Sequence, residues 1–216
     1  MRYNLCIFDM DGTTLDTLKD LQQALNYALS QFGYPTHPIE AVRGFVGNGL
    51  RNLIKNGLPA GTDDDTIDRV LEIYHPFYAE HCFDFTGPYD GVTEMIRELR
   101  AKGIATAIVS NKADYAVQAL CERFFPGCFD YCIGEKEGLK RKPAPDMVEA
   151  VIKSLGADPD RCIYIGDSEV DIDTANNCGI DQAIVTWGFR DREYLAEKGA
   201  ENIFDTMDEL YRFLIS

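Results

Sequence analysis

Residues 6–16, CIFDMDGTTLD, carry two carboxylates, Asp9 and Asp11, at the end of an apolar run. Two carboxylates about 5 Å apart repel by roughly 3 kcal/mol at an effective dielectric near 20, so their pairing calls for positive charge nearby. Three other stretches hold groups that match it. Ser110-Asn111-Lys112 follows the apolar run Ile104–Val109, Lys142 precedes Pro143-Ala144-Pro145, and Gly166-Asp167-Ser168-Glu169-Val170-Asp171 follows Cys162–Ile165. Asp9, Asp11 and Asp167 are the residue types that hold a hard divalent cation, and Mg²⁺ prefers a few carboxylates together with waters and substrate phosphate. Asp167 and Asp171, four apart at a helix start, can face the same way. Gly12 permits a tight backbone turn beside a ligand, and amides in such a turn can donate to phosphate oxygens. Singly, each of these residues reads as a turn, a helix cap or a surface lysine. Their meaning depends on whether the fold brings them together.

The elements predicted around them do so. A strand is expected at 3–8 and a helix at 17–32, where Leu18, Leu21, Leu25, Ala28, Leu29 and Phe32 fall on one face. Further helices are expected near 38–45, 48–56 and 63–81, with no convincing strand between 17 and 83. From Gly91 the texture alternates: helix 91–101, strand 104–109, helix 113–124, strand 129–132, helix 145–155, strand 162–166, helix 169–178, strand 182–186 and helix 206–214. Strands spaced by single helices imply right-handed βαβ crossovers. The fold class is therefore α/β, a doubly wound, mostly parallel, Rossmann-like sheet. Residues 1–16 and 84–216 form its core, and 17–83 form an inserted helical domain. In open α/β sheets ligands bind at the carboxyl ends of the strands, and all four stretches sit there.

Bulk properties narrow the function classes. The 216 residues are 45% hydrophobic and 26% charged, with a net charge of −15. That charge argues against a nucleic-acid partner, whose footprint is a basic stripe; the one basic cluster is Lys140-Arg141-Lys142. Apolar runs are too short to span a bilayer and no secretory signal precedes the first strand, so a soluble, cytoplasmic protein is expected. Seven scattered cysteines without a Cys-x-x-Cys pair read as free thiols, with Cys6 and Cys162 buried in strands. Cys128 and Cys132 lack the partners of a zinc site, and His37, His75 and His81 have no ligand spacing. Oligomeric state is not legible.

Asp9-Met10-Asp11-Gly12-Thr13, Ser110, Lys142 and Gly166-Asp167-Ser168-Glu169-Val170-Asp171 resemble, in order and spacing, the four motifs of the haloacid dehalogenase superfamily. The 17–83 block resembles that superfamily's α-helical cap. Within it the chain is most similar to the phosphoglycolate phosphatase group, on Phe45-Val46-Gly47-Asn48-Gly49, Pro88-Tyr89-Asp90-Gly91-Val92 and Thr186-Trp187-Gly188. The resemblance implies a Mg²⁺-dependent phosphomonoester hydrolase acting on a small phosphate ester through an aspartyl-phosphate. Asp9 would be the nucleophile and Asp11 the general acid and base. Asp9, the Asp11 carbonyl and Asp167 would bind the metal, with Asp171 steadying the loop or a metal-bound water. Ser110 and the amides near Met10 and Asn111 would hold phosphoryl oxygens, and Lys142 would offset their charge.

Single residues weigh the relatives. Halide-removing and phosphonate-cleaving members lack an acid at the position of Asp11, and sugar-phosphate mutases usually carry Val where Thr13 stands. A mutase is the runner-up; a pyrophosphatase and a non-enzymatic phosphate-binding module remain alternatives. For the substrate, Gly47-Asn48-Gly49 lies before a helix whose free amides can meet an anion. Arg43 or Arg51 can pair with a carboxylate. 2-Phosphoglycolate is the first choice on resemblance.

Overall fold

The computed structural model describes residues 2–216. Its centre is β1 (Leu5–Phe8), four apolar residues buried on both faces. Such a continuous apolar run is what a parallel strand covered on both sides requires. β1 lies between β4 (Ala105–Ala113) and β6 (Cys162–Gly166), and β5 (Tyr131–Glu135), β7 (Asp181–Val185) and β8 (Ile203–Phe204) extend the sheet in the order β5-β4-β1-β6-β7-β8. Every neighbouring pair in that sheet is parallel. Side chains alternate across it. Cys6 and Phe8 face a core layer with Ile96, Leu120 and Leu210, while Leu5 and Ile7 face the opposite layer with Val148, Val151 and Tyr164.

The covering helices are α5 (Val92–Ala101), α6 (Asp114–Phe124), α7 (Asp146–Leu155), α8 (Glu169–Cys178), α9 (Arg192–Glu197) and α10 (Met207–Leu214). Between β1 and β4 the chain instead builds a helical block from α1 (Leu18–Gln31), α2 (Ile39–Phe45), α3 (Leu50–Gly57) and α4 (Asp64–His81). This block has its own apolar cluster, including Leu25, Leu29, Ile54, Val70 and Tyr74, onto which Ala116 and Phe189 also pack. The chain enters and leaves the block through a short antiparallel ribbon, β2 (Leu15–Asp16) against β3 (Gly87–Pro88). Beside it the buried Asp20 accepts from the amides of Phe85 and Thr86 and from Thr86 Oγ1, pinning the return strand to the first turn of α1.

Most expected elements are present within a few residues, and the differences are local. The first strand begins at Leu5. β4 runs on to Ala113 with an irregular register after Val109, so Ser110, Asn111 and Lys112 belong to the strand end and not to a following loop. The fifth strand lies at 131–135, two residues later than its apolar content suggests. The ribbon, β8 and α9 went unpredicted because two-residue strands and a six-residue helix carry no usable periodicity. All seven cysteines are free, and Cys6 and Cys162 are buried. No helix among the described residues is long and apolar enough to cross a membrane.

Candidate active site

The carboxyl edge of the sheet brings the expected groups into one cleft. β1 ends by delivering Asp9, whose Oδ1 accepts from its neighbour's amide, Met10 N, at 2.7 Å and from Lys142 Nζ at 2.9 Å. Its other oxygen takes no hydrogen bond from the described residues. Burial pushes the Asp9 carboxyl up to about 6, against the pull of Lys142. Lys142 is itself enclosed, its Nζ lying 2.8 Å from Asp171 Oδ1 and 2.8 Å from the Tyr164 hydroxyl, which donates on to the Val109 carbonyl. Burial alone would lower this ammonium, but the charges of Asp171 and Asp9 outweigh it and hold Lys142 well above the ordinary lysine range. The lysine of the short basic cluster thus supplies positive charge to Asp9.

β6 delivers the second acidic pair. Asp167 Oδ1 accepts from Thr13 Oγ1 at 3.1 Å and Oδ2 from Phe189 N at 2.7 Å. Burial, then the charges of Asp171 and Asp9, raise its carboxyl well above the usual range. Asp171 is fully engaged. Its Oδ1 accepts from Lys142, and its Oδ2 accepts from Asp167 N, Ser168 N and Ser168 Oγ. A carboxylate offers about four lone-pair sites, so this one has little left for a metal. Ser168 caps α8, as its position before that helix suggests.

Ligand oxygens from Asp9, Asp167 and Asp171 lie within 4.8 Å of one another, the arrangement a hard cation needs. The backbone makes room for it. A Cβ on Gly12, whose φ is +86°, would come within 2.4 Å of Asp167 Oδ2, and one on Gly188 would come within 2.3 Å of that oxygen. Only glycine at both positions lets the backbone close on this carboxylate. The buried, mutually repelling acids and the cradle around Asp167 fit Mg²⁺.

Asp11 is reached by Lys112, whose Nζ donates to Asp11 Oδ1 at 2.9 Å and Oδ2 at 3.1 Å. Ser110 is buried and its Oγ accepts from Lys112 N at 3.4 Å. Asn111 Nδ2 spans two segments, donating to the carbonyls of Lys142 and Gly47. Beyond these groups the cleft is walled by the helical block through Leu21, Val46, Gly47, Gly49, Leu53, Tyr74 and Tyr78.

The expectations for the helical block fare less well than those for the sheet edge. Gly47 and Gly49 line the cleft, but Gly47 presents its carbonyl to Asn111, and Asn48 is exposed. Arg43 lies outside the cleft lining and donates to the Gly188 carbonyl and to Asp191 at 3.0 Å. Arg51 pairs with Asp64 and Asp68 and does not line the cleft. The Met10 amide, expected near phosphoryl oxygens, is used by Asp9.

Several groups escaped the sequence reading. Arg190 donates to the Arg43 and Val46 carbonyls and to Glu169, clasping the block to the core, and nothing around it in the sequence marks it. The Phe189 amide carries no side-chain signal at all. Tyr74 and Tyr78, on α4, are both buried.

The profile of the haloacid dehalogenase-like hydrolases matches residues 6–185. A phosphoglycolate phosphatase of Pseudomonas syringae pv. tomato is 31% identical over 212 residues, covering 95% of this chain and 78% of that one. A phosphoglycolate phosphatase of Aquifex aeolicus is 28% identical over 184 residues, covering 85% and 84%. A solved candidate phosphoglycolate phosphatase from Lactobacillus delbrueckii subsp. bulgaricus superposes with a TM-score of 0.95 at 42% identity, over 99% of both chains.

Proposed function

The chain belongs to the haloacid dehalogenase-like hydrolase family, and we propose that it is a Mg²⁺-dependent phosphatase of small phosphomonoesters, with 2-phosphoglycolate as the first substrate to test. The observation that carries this reading is the state of Asp9. One of its oxygens is fixed by the Met10 amide and Lys142, the other has no partner among the described residues, and both Asp11 and Ser110 line the same cleft.

In the proposed reaction the unpartnered oxygen of Asp9 attacks phosphorus. A bond forms from that oxygen to phosphorus as the bond to the leaving alcohol breaks, and Asp11 supplies the proton that the departing oxygen needs. Asp11 then takes a proton from the water that attacks phosphorus, releasing phosphate and restoring Asp9. Ser110 and Lys142 face the phosphoryl charge, since this chemistry asks mainly for positioning and electrostatic stabilisation. Asp9, the Asp11 carbonyl and Asp167 would hold Mg²⁺. Asp171, with its lone pairs already committed, acts by fixing Lys142 and the Asp167 loop. The ion supplies charge neutralisation for the phosphoryl oxygens when bound. Residues 17–83 serve as a cap over the cleft, and opening must release the Arg190 clasp together with the Arg43–Asp191 pair and the Asn111 bond to the Gly47 carbonyl. The named relatives in Pseudomonas syringae and Aquifex aeolicus support the choice of 2-phosphoglycolate.

The test is phosphate release from 2-phosphoglycolate, pyrophosphate, sugar phosphates and nucleoside monophosphates, with Mg²⁺ and again with excess chelator. Metal-dependent release led by 2-phosphoglycolate in kcat/KM is the expected result. Release that persists in chelator would remove the metal from the mechanism, and no release from any ester would overturn the phosphatase reading.

A further inference from the structure

The cap wall holds a feature that the reaction above does not use. Tyr74 and Tyr78, four apart and so on one face of α4, stack with ring centroids 5.4 Å apart. Both hydroxyls are buried and neither has a hydrogen-bond partner among the described residues. Buried phenols normally find one. Both residues line the cleft that contains Asp9 and Asp11. Beside them Lys112 Nζ lies 4.8 Å from the centroid of the Tyr78 ring while donating to Asp11. Two unspent O–H donors and one ammonium therefore gather next to the carboxyl that meets the leaving oxygen.

We propose that Tyr74, Tyr78 and Lys112 form the recognition site for a carboxylate on the alcohol half of the substrate. The inference rests on the phosphatase reading and adds to it the residues that choose the ester. The chemistry of the three groups selects the ligand. Lys112 can only donate. Burial and the neighbouring Tyr78 phenol raise Tyr74 well above the ordinary phenol range, and burial with Asp11 does the same for Tyr78, so both stay protonated as donors. Charge-assisted bonds to a carboxylate are about twice as strong as neutral ones, which favours an anion over an alcohol at such a cluster. Position matters as well: both Asp11 oxygens accept from Lys112, so an anion held by this lysine lies beside the carboxyl assigned to the leaving oxygen.

The test compares 2-phosphoglycolate with 2-hydroxyethyl phosphate, a neutral ester of nearly the same size, in the wild type, in Tyr74→Phe and Tyr78→Phe, and in the double variant. The expected result is that the double variant loses roughly 10- to 100-fold in kcat/KM on 2-phosphoglycolate and less than about threefold on the neutral ester. Its Tm should hold or rise, because the hydroxyls removed had no partner in the folded chain. Equal losses on both esters, or none on either, would overturn the proposal, and a fall in Tm would make the tyrosines structural. A binding measurement keeps the subsite separate from turnover: 2-phosphoglycolate is titrated into Asp9→Asn protein with and without the two phenylalanines. Should the wild type hydrolyse no ester, the phosphatase reading fails, and this titration still decides the subsite. Affinity lost with the hydroxyls supports it, and affinity unchanged or absent overturns it.

Discussion

The two walls of the cleft are built on opposite principles. On the sheet edge most polar atoms are committed, the second oxygen of Asp9 and the buried Asn111 Oδ1 being the exceptions among the described residues. Asp171 accepts four hydrogen bonds, Lys142 touches two carboxylates and a phenol, and Asp167 is held at both oxygens. On the cap wall two buried hydroxyls have no partner, and the charged side chains of α3 turn outward to solvent. A saturated network cannot rearrange cheaply, so it holds reacting groups in place before substrate arrives. An unsaturated wall keeps donors for a ligand. Under the proposed function this difference is a division of labour, the core assigned the chemistry and the cap the choice of ester.

The largest expected effect comes from removing the one carboxylate oxygen that the core leaves free. Asp9→Asn should lower kcat by on the order of 10⁴-fold or more, as loss of a covalent nucleophile does, with circular dichroism unchanged. Turnover near wild-type values would mean that another group attacks phosphorus. Next is the charge at the centre of the saturated side. Lys142→Met leaves Asp9 and Asp171 buried without their cation, and loss of one partner from a buried ion pair costs about 3–5 kcal/mol. Denaturant unfolding should register that loss in metal-free protein, and a change below about 1 kcal/mol would show the network to be less rigid than its bonds suggest. A smaller effect is expected at Gly188. In Gly188→Ala the new Cβ must push against Asp167 Oδ2 and the Gly12 carbonyl. Overpacking of this kind costs about 1–3 kcal/mol, and the concentration of Mg²⁺ needed for half-maximal activity should rise with it.

The same division explains how much could be read from the sequence. The sheet edge was legible because its chemistry sits directly after apolar runs, where strand ends and ligand sites coincide: Asp9 after Ile7-Phe8, Asp167 after Ile163-Tyr164-Ile165. Lys142 was legible only as part of a motif, since no periodicity shows that it is buried. The cap was legible as four helices but not as a surface. A helical period shows that Tyr74 and Tyr78 face inward, yet it cannot show whether an inward hydroxyl finds a partner. Arg190 and the Phe189 amide act through a loop whose path depends on the packing of the block against the core. The sequence places Arg51 within the expected helix 48–56, but its direction is set by Asp64 and Asp68, which come from a different helix.

Arg51 therefore provides the smallest predicted effect and a sharp check on the comparison. Its side chain is 40% exposed and its partners more so, and exposed ion pairs contribute about 0–1 kcal/mol. Arg51→Ala should change stability by less than about 1 kcal/mol. It should also leave kcat/KM for 2-phosphoglycolate within about twofold of wild type, because a side chain tied to the outer face of the cap meets no substrate. A drop of tenfold, carried by KM, would mean that the cap turns far enough during the reaction to bring Arg51 into the cleft. In that case the tyrosines would share carboxylate recognition with an arginine, and the cap wall would be selective through its motion as well as through its unspent donors.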